Sequence, residues 1–141
     1  MHRHTFEVTT GSDRGTDITA PCTAYAADLG RDGLLLVFLP HATAGLALLE
    51  TGAGSDHDLA EHRDALFPRD DRWRHAHGSP GHGADHVLPA VISPSLTIPV
   101  DAGVLALGTW QSITLVDANR DNPTRTVRLS FLGEGPGVPQ D

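Results

Sequence analysis

Histidine is the residue type that offers the most chemistry in this chain. The 141-residue sequence contains nine histidines, of which seven lie between His41 and His86 and four between His75 and His86. Imidazole is the commonest protein ligand for metal ions and exchanges protons near neutral pH. Three protein ligands with one open position are typical of a catalytic zinc site. Spacing alone leaves the ligand set open, because His75 and His77 could share a strand face while a loop could bring His82 or His86 to either.

The alternative interpretation is that histidine partly replaces lysine on a solvated surface. We favour that interpretation for His2, His4, His57 and His62, which lie near the start of the chain or on a charged helical segment. His41 differs because it follows a predicted strand directly, and functional groups gather on loops that rigid strands hold. We therefore expect a functional role for His41.

Two acids and two arginines are candidates to assist a histidine site. Glu50 and Asp117 each end a predicted apolar strand, where a carboxylate can orient an imidazole. Arg125 and Arg128 lie in the last predicted strand, and arginine recognises phosphate groups bidentately. The alternative for each residue is a charged side chain that faces water, and we favour that alternative for Arg128.

The composition excludes several mechanisms and partners. All ten basic residues are arginine, which excludes any mechanism that needs a lysine nucleophile, a Schiff base or a phosphate-loop lysine. The net charge of −8 argues against nucleic-acid binding, which needs a basic surface. The sequence has neither a signal-peptide core nor an apolar run of membrane-spanning length, and its single cysteine, Cys22, cannot form an internal disulfide. We expect a cytoplasmic protein with no membrane or nucleic-acid partner.

The apolar pattern predicts the elements that must position these residues. Residues 33–40 are almost wholly apolar, which predicts a central strand buried on both faces, with segment 45–50 as its neighbour. The polar stretch 68–85 predicts a long loop that is either functional or disordered. Other strands are predicted over 4–10, 96–100, 104–107, 110–117 and 124–132, and helices over 17–29 and 55–67.

These elements predict one α+β domain over residues 1–141, with an antiparallel or mixed sheet and two helices packed on it. The Gly- and Pro-rich segment 134–141 is predicted to be a flexible tail.

Four blocks of the sequence resemble one protein family. They begin at Pro40, Trp73, Ala84 and Gly103 and read PHATAG, WRH, ADH and GVLALGTWQ. Their order and spacing are similar to those of the YjbQ-like proteins, also called secondary thiamine-phosphate synthases. The resemblance extends over residues 5–134, and the last block is its most specific element.

The resemblance implies an α+β fold with a sandwich-like sheet, a homotrimer and a polar site near the subunit boundaries. It implies an activity that joins a hydroxymethylpyrimidine diphosphate to a thiazole phosphate and releases pyrophosphate, so a small phosphorylated molecule is an expected partner. The alternative is a non-catalytic trimeric module that binds a metal ion or an anion. Six residues match the family's pattern. The expected ligands of a divalent metal ion, zinc, are His41, His75 and His86, and the expected catalytic residues are Glu50, Asp117 and Arg125.

Several positions differ from the family's pattern. Leu49, Thr51 and Thr126 stand where the family carries asparagine or arginine side chains. His82 stands where the family carries Asn or Asp, which makes His82 a candidate additional ligand.

Overall fold

The computed structural model describes residues 1–11 and 15–133, so the predicted tail 134–141 lies outside the described residues. Two antiparallel sheets share one apolar core, to which both sheets and the first helix contribute buried side chains. The strands are β1 (His2–Thr9), β2 (Thr16–Asp17), β3 (Gly33–Phe38), β4 (Ala44–Leu49), β5 (Ser95–Asp101), β6 (Val104–Leu105), β7 (Ser112–Asp117) and β8 (Thr124–Leu132). The helices are α1 (Thr19–Leu29), α2 (Ser55–Leu66) and α3 (His82–Asp85), and a 3-10 turn covers Leu88–Ala90.

The larger sheet has the strand order β1-β8-β3-β5-β6, and the smaller sheet has the order β2-β7-β4. Side chains alternate across the larger sheet, as the two-residue period of a strand requires. Leu35 and Val37 of β3 point into the core and are completely buried, and Leu35 lies opposite Phe131 of β8 and Ile98 of β5. The predicted α+β class, with a sandwich-like sheet, is confirmed.

Two predictions about the central strand are wrong. The outer face of β3 is open, since Leu34 is 43% exposed and Phe38 is 37% exposed. The apolar run therefore forms both the buried inner face of β3 and an apolar outer face that is exposed. In addition, β4 pairs with β7 in the other sheet rather than with β3, because the chain crosses between the sheets after Phe38.

Helix α1 is fixed at both ends by local hydrogen bonds. At its start, the Thr19 backbone N–H donates to Asp17 Oδ1 over 2.8 Å. At its end, Gly30 adopts a left-handed φ of 59° and its N–H donates to the Ala26 carbonyl. Cys22 and Ala26 are completely buried, and this helix closes the core between β6 of the larger sheet and β7 of the smaller sheet.

Helix α2 confirms the predicted helix over 55–67 but contributes little to the core. Its one buried side chain is Arg63, and Leu66 is 68% exposed. The end of α2 lies beside Arg69 and Asp85, at the base of the long polar loop. None of the helices in the described part of the chain combines the length and the apolar composition that a bilayer-spanning helix needs.

Candidate metal centre

The long polar loop folds back on itself and brings histidines together at its far end. The α3 turn separates His82 and His86 by four residues, which places both rings on one side of the turn. Their Nε2 atoms are 2.9 Å apart. His82 is buried and His86 is half-buried, so the two nitrogens meet at the boundary between the protein and solvent.

His75 completes a cluster of three imidazoles. Its ring centroid lies 4.0 Å from that of His86, and its Nε2 is buried without a hydrogen-bond partner. One nitrogen from each of His75, His82 and His86 lies within 4.8 Å of the other two. Two nitrogens bound to one tetrahedral zinc ion at about 2.0–2.1 Å would lie about 3.3 Å apart. The donor atoms therefore fit a shared metal ion after side-chain shifts of less than about 1 Å.

The protonation states of these rings suit metal binding. Burial lowers the pKa of His75, and the nearby rings of His77 and His82 lower it further. Burial and the other three rings also lower the pKa of His86. Both imidazoles are therefore neutral at pH 7, with a lone pair available for a metal ion.

Two carboxylates flank the other ring nitrogen of His82. Nδ1 lies 3.1 Å from Asp121 Oδ2 and 3.8 Å from Asp85 Oδ2. These are ion-pair distances, although the ring N–H is not aligned well enough with either oxygen to form a regular hydrogen bond. The hydrogen bond donated by the Ser79 backbone N–H holds the pKa of Asp121 below its usual range. Burial raises the pKa of Asp85, and the charge of Arg69 opposes that rise.

The path of the loop depends on close backbone contacts. A Cβ at Gly83 would lie 2.5 Å from both the His75 carbonyl oxygen and the Trp73 Cβ, so this part of α3 packs directly on the preceding loop. The Trp73 indole N–H donates to the Pro68 carbonyl over 2.7 Å, and its ring packs against Phe67 at the end of α2. These contacts hold His75 beside α3.

A cavity of about 390 Å³ opens beside the cluster. Asp70, Asp71 and Trp73 line one part of it, and His75, His77 and His82 line another. The His77 ring centroid lies 4.0 Å from that of His75, but His77 is exposed and does not belong to the group of three converging ligand atoms. The volume is within the usual range for a small-molecule site.

His41 lies against strand β8 rather than in the cluster of three ligand atoms. Its Nε2 is 2.9 Å from the Thr126 amide nitrogen and 3.2 Å from the Thr126 carbonyl oxygen. The amide contact requires a neutral ring, whereas the carbonyl contact would favour a protonated one. Burial lowers the pKa of His41 and the Arg125 guanidinium lowers it further, so the neutral ring that accepts from the amide is the stable form.

The predicted catalytic residues Asp117 and Arg125 form a buried ion pair, and the predicted Glu50 is exposed after β4. Arg125 also donates to Thr43 Oγ1 over 3.0 Å. Both charged side chains are at most 3% exposed. The structure thus brings Asp117 and Arg125 together near His41 and separately brings His75 and His86 together with His82.

Comparison with known proteins agrees with this architecture. The family model described as "UPF0047 protein YjbQ-like" matches residues 4–134. The chain belongs to the YjbQ-like family. Among YjbQ-like relatives, UPF0047 protein Rv2556c of Mycobacterium tuberculosis is 57% identical over 136 residues, which cover 94% of this chain and 98% of the relative. UPF0047 protein YugU of Bacillus subtilis is 32% identical over 131 residues, which cover 89% of this chain and 94% of the relative.

Solved structures of similar proteins share the fold. The hypothetical protein APE1520 from Aeropyrum pernix K1 has a TM-score of 0.85 and 34% identity, with 95% of this chain and 100% of that chain covered. A YjbQ/UPF0047 protein from Clostridium acetobutylicum has a TM-score of 0.81 and 27% identity, with 92% and 99% covered. The YjbQ-like fold is therefore shared over nearly the full length of each chain.

Two residues in and beside the cluster, His82 and Asp121, could not be assigned their positions from the sequence of this YjbQ-like chain. His82 was expected only as an additional ligand, although its four-residue spacing from His86 is the spacing of neighbours on a helix. Asp121 was not a candidate, because nothing in its local sequence indicates that the turn between β7 and β8 reaches the histidine loop.

Proposed function

We propose that this YjbQ-like protein binds a divalent metal ion, zinc, through His75, His82 and His86. The observation that supports the proposal is the convergence of one nitrogen from each ring within 4.8 Å. This ligand set differs in one member from the set that the family resemblance implies, because His82 takes the place of His41. Imidazole ligands suit zinc, and three of them leave one position for water or a substrate oxygen.

The residues around the cluster have separate tasks in this proposal. His75 and His86 bind as neutral imidazoles, which their lowered pKa values favour. The cavity beside His75 receives the ligand, and exposed His77 is placed to exchange protons with it. A bound zinc ion supplies Lewis-acid polarisation of an oxygen atom.

The proposed activity is the thiamine-phosphate synthase reaction that the resemblance implies. A pyrimidine diphosphate and a thiazole phosphate would combine in the cavity and release pyrophosphate. Arg125 was expected to stabilise the departing pyrophosphate, but its guanidinium already neutralises Asp117 and is 3% exposed. In this proposal the metal site, rather than Arg125, therefore neutralises the charge of the phosphate groups.

A second candidate function is metal binding without turnover. One observation favours it: among the described residues that line the cavity, the charged ones are the acids Asp70 and Asp71, and none is arginine. Asp70 is paired with Arg72 over 2.7 Å, so the lining carries the net charge of Asp71, which disfavours a diphosphate but does not oppose the binding of a cation. This candidate predicts tight metal retention with no release of pyrophosphate.

A homotrimer is also part of the proposal. Leu34, Phe38 and Leu132 lie on the outer face of the larger sheet and are between 37% and 50% exposed. An apolar patch of this kind is typical of a surface that associates with another protein. Light scattering after size exclusion is expected to give three times the monomer mass, and replacement of Leu34 by glutamate is expected to lower it. A monomeric wild-type protein would contradict this part.

We also propose a cytoplasmic location, because Cys22 is a free, buried thiol.

Elemental analysis of the purified protein tests the metal site. We expect close to one zinc ion per chain in the wild type and a loss of bound zinc in His75→Ala and His82→Ala. His62→Ala, which removes an exposed histidine from α2, is the matched control and is expected to keep its zinc. Equal zinc content in all four proteins would contradict the proposed ligand set.

Measurement of pyrophosphate separates the two candidate functions. The zinc-loaded protein is incubated with both thiamine precursors, and pyrophosphate is measured at high protein concentration. Release that depends on His75 supports the synthase. No release from a protein that holds a full complement of zinc would support the binding module.

A further inference from the structure

Asp121 connects the turn between β7 and β8 to the histidine loop. Its Oδ2 accepts the backbone N–H of Ser79 over 3.1 Å and lies 3.1 Å from His82 Nδ1. The backbone N–H of Asp121 donates to Asn119 Oδ1 over 2.8 Å, which fixes the turn from the other side. The carboxylate therefore has a defined position beside His82.

We infer that Asp121 is the positioning residue that keeps the His82 proton on Nδ1 and leaves the Nε2 lone pair free for the metal ion. The consequence for metal binding rests on the proposed function, whereas the position of the proton does not. At 3.1 Å the negative charge of Asp121 stabilises a proton on His82 Nδ1, although the two groups are not aligned as a regular hydrogen bond, and the other ring nitrogen is then an acceptor. His82 Nε2 is the atom that lies 2.9 Å from His86 Nε2, on the side where the three ligands converge.

The second nearby carboxylate, Asp85, is less suited to this role. Its Oδ2 is farther from His82 Nδ1, at 3.8 Å, and its Oδ1 accepts from Arg69 Nη1 over 2.5 Å. Arg69 therefore neutralises Asp85. Asp121 is the closer carboxylate, and its side chain is 37% exposed, so its replacement leaves no cavity in the core.

The backbone makes room for the contact between Asp121 and His82. A Cβ at Gly78 would lie 2.7 Å from Asp121 Oδ2 and 3.0 Å from His82 Cγ. Gly78 also has a φ of +84°, a conformation that favours glycine. The absence of a side chain at this position allows the carboxylate and the ring to approach each other.

The substitution Asp121→Asn tests the inference with little change in shape. The asparagine oxygen can still accept the Ser79 N–H, so the anchor of the loop is kept while the negative charge is lost. Asp28→Asn is the matched control, because Asp28 is an exposed acid on α1 that does not line the cavity. Thermal unfolding of all three proteins establishes that each one is folded.

Two readouts are measured on the full chain. Nitrogen-15 NMR of metal-free protein reports the tautomer of His82, whose signal is assigned by its disappearance in His82→Gln. We expect the proton on Nδ1 in the wild type and in Asp28→Asn, and a shift toward the Nε2–H tautomer in Asp121→Asn. Competition with a chromogenic chelator gives the zinc Kd, which we expect to rise about 10- to 100-fold in Asp121→Asn only.

The two readouts test the role of Asp121 and the metal site separately. A His82 tautomer that is the same in the wild type and Asp121→Asn would overturn the role of Asp121, whatever the zinc affinity. A wild-type protein that binds no zinc would contradict the proposed function, and the tautomer would still decide whether Asp121 positions His82. An unchanged zinc Kd with a changed tautomer would overturn the link between that proton and metal binding.

Discussion

Arg125 and Asp117 form a bidentate ion pair in which neither side chain is more than 3% exposed. Nε of Arg125 lies 2.6 Å from Asp117 Oδ2, and a second guanidinium nitrogen lies 3.1 Å from Oδ1. Thr10 and the Asn119 backbone donate to the same carboxylate. The pair thereby joins the end of β7 to the start of β8, next to the turn that carries Asp121.

We predict that Arg125→Ala lowers the free energy of unfolding by about 3–5 kcal/mol, because it leaves Asp117 buried without its counter-charge. Arg128→Ala is the control on the same strand: its side chain is exposed, so the change should stay within about 0.5 kcal/mol. Urea unfolding followed by circular dichroism measures both. Equal, small losses in the two variants would show that the pair does not stabilise the fold.

We predict that stability decreases below about pH 6.5 and that His41 contributes to the decrease. The pKa of His41 is lowered in the folded protein, chiefly by burial, so the unfolded chain takes up a proton at about pH 6.5 while the folded chain does not. Acid therefore favours unfolding, and the contribution of His41 is complete only above that pH.

The check is urea unfolding of chelator-treated protein between pH 5.5 and pH 7.5. His41→Gln does not titrate and can still accept the Thr126 N–H, so its stability should depend less steeply on pH than that of the wild type. His57→Gln removes an exposed histidine from α2 and should keep the wild-type slope. If both variants show the same slope as the wild type, His41 is not responsible.

Much of the secondary structure could be predicted, because it depends on local patterns. Alternation between Thr124 and Leu132 predicted β8 with its observed bounds, and the helical spacing after Ser55 predicted α2. Strand pairing could not be predicted in the same way, since β1 pairs with β8 across more than a hundred residues. An apolar run such as β3 does not reveal which of its faces the rest of the chain will cover.

The candidate site could be predicted only in part, because some of its residues come together through the path of a long loop rather than through a local sequence pattern. His75 and His86 were assigned by family position, and the structure brings their rings within 4.0 Å of each other. The contribution of His82 depends on the loop path, where Gly81 turns with a φ of +77° before α3. The contact with Asp121 joins segments about 40 residues apart, so no local pattern encodes it.

We predict that Gly78→Ala weakens zinc binding about tenfold or more, because the new methyl group would press on Asp121 and His82. Gly52→Ala is a close control. Gly52 has nearly the same φ, +83° against +84°, but a Cβ there meets nothing within 4 Å. Both variants should lose about 1–3 kcal/mol of stability from backbone strain, and only Gly78→Ala should lose affinity for zinc. Chelator competition measures the Kd, and equal affinities would refute the prediction.

Zinc should stabilise the folded protein, because the three ligands converge only in the folded chain. At a free zinc concentration 100 times the Kd, the free energy of unfolding is expected to rise by about 2.7 kcal/mol. His86→Ala removes one converging nitrogen and should abolish most of this gain, whereas His62→Ala, on the exposed face of α2, should keep it. Thermal unfolding with zinc and with a chelator measures the difference for each protein. A gain of the same size in His86→Ala would mean that zinc binds elsewhere, since a site built from His75, His82 and His86 cannot lose a ligand without losing affinity.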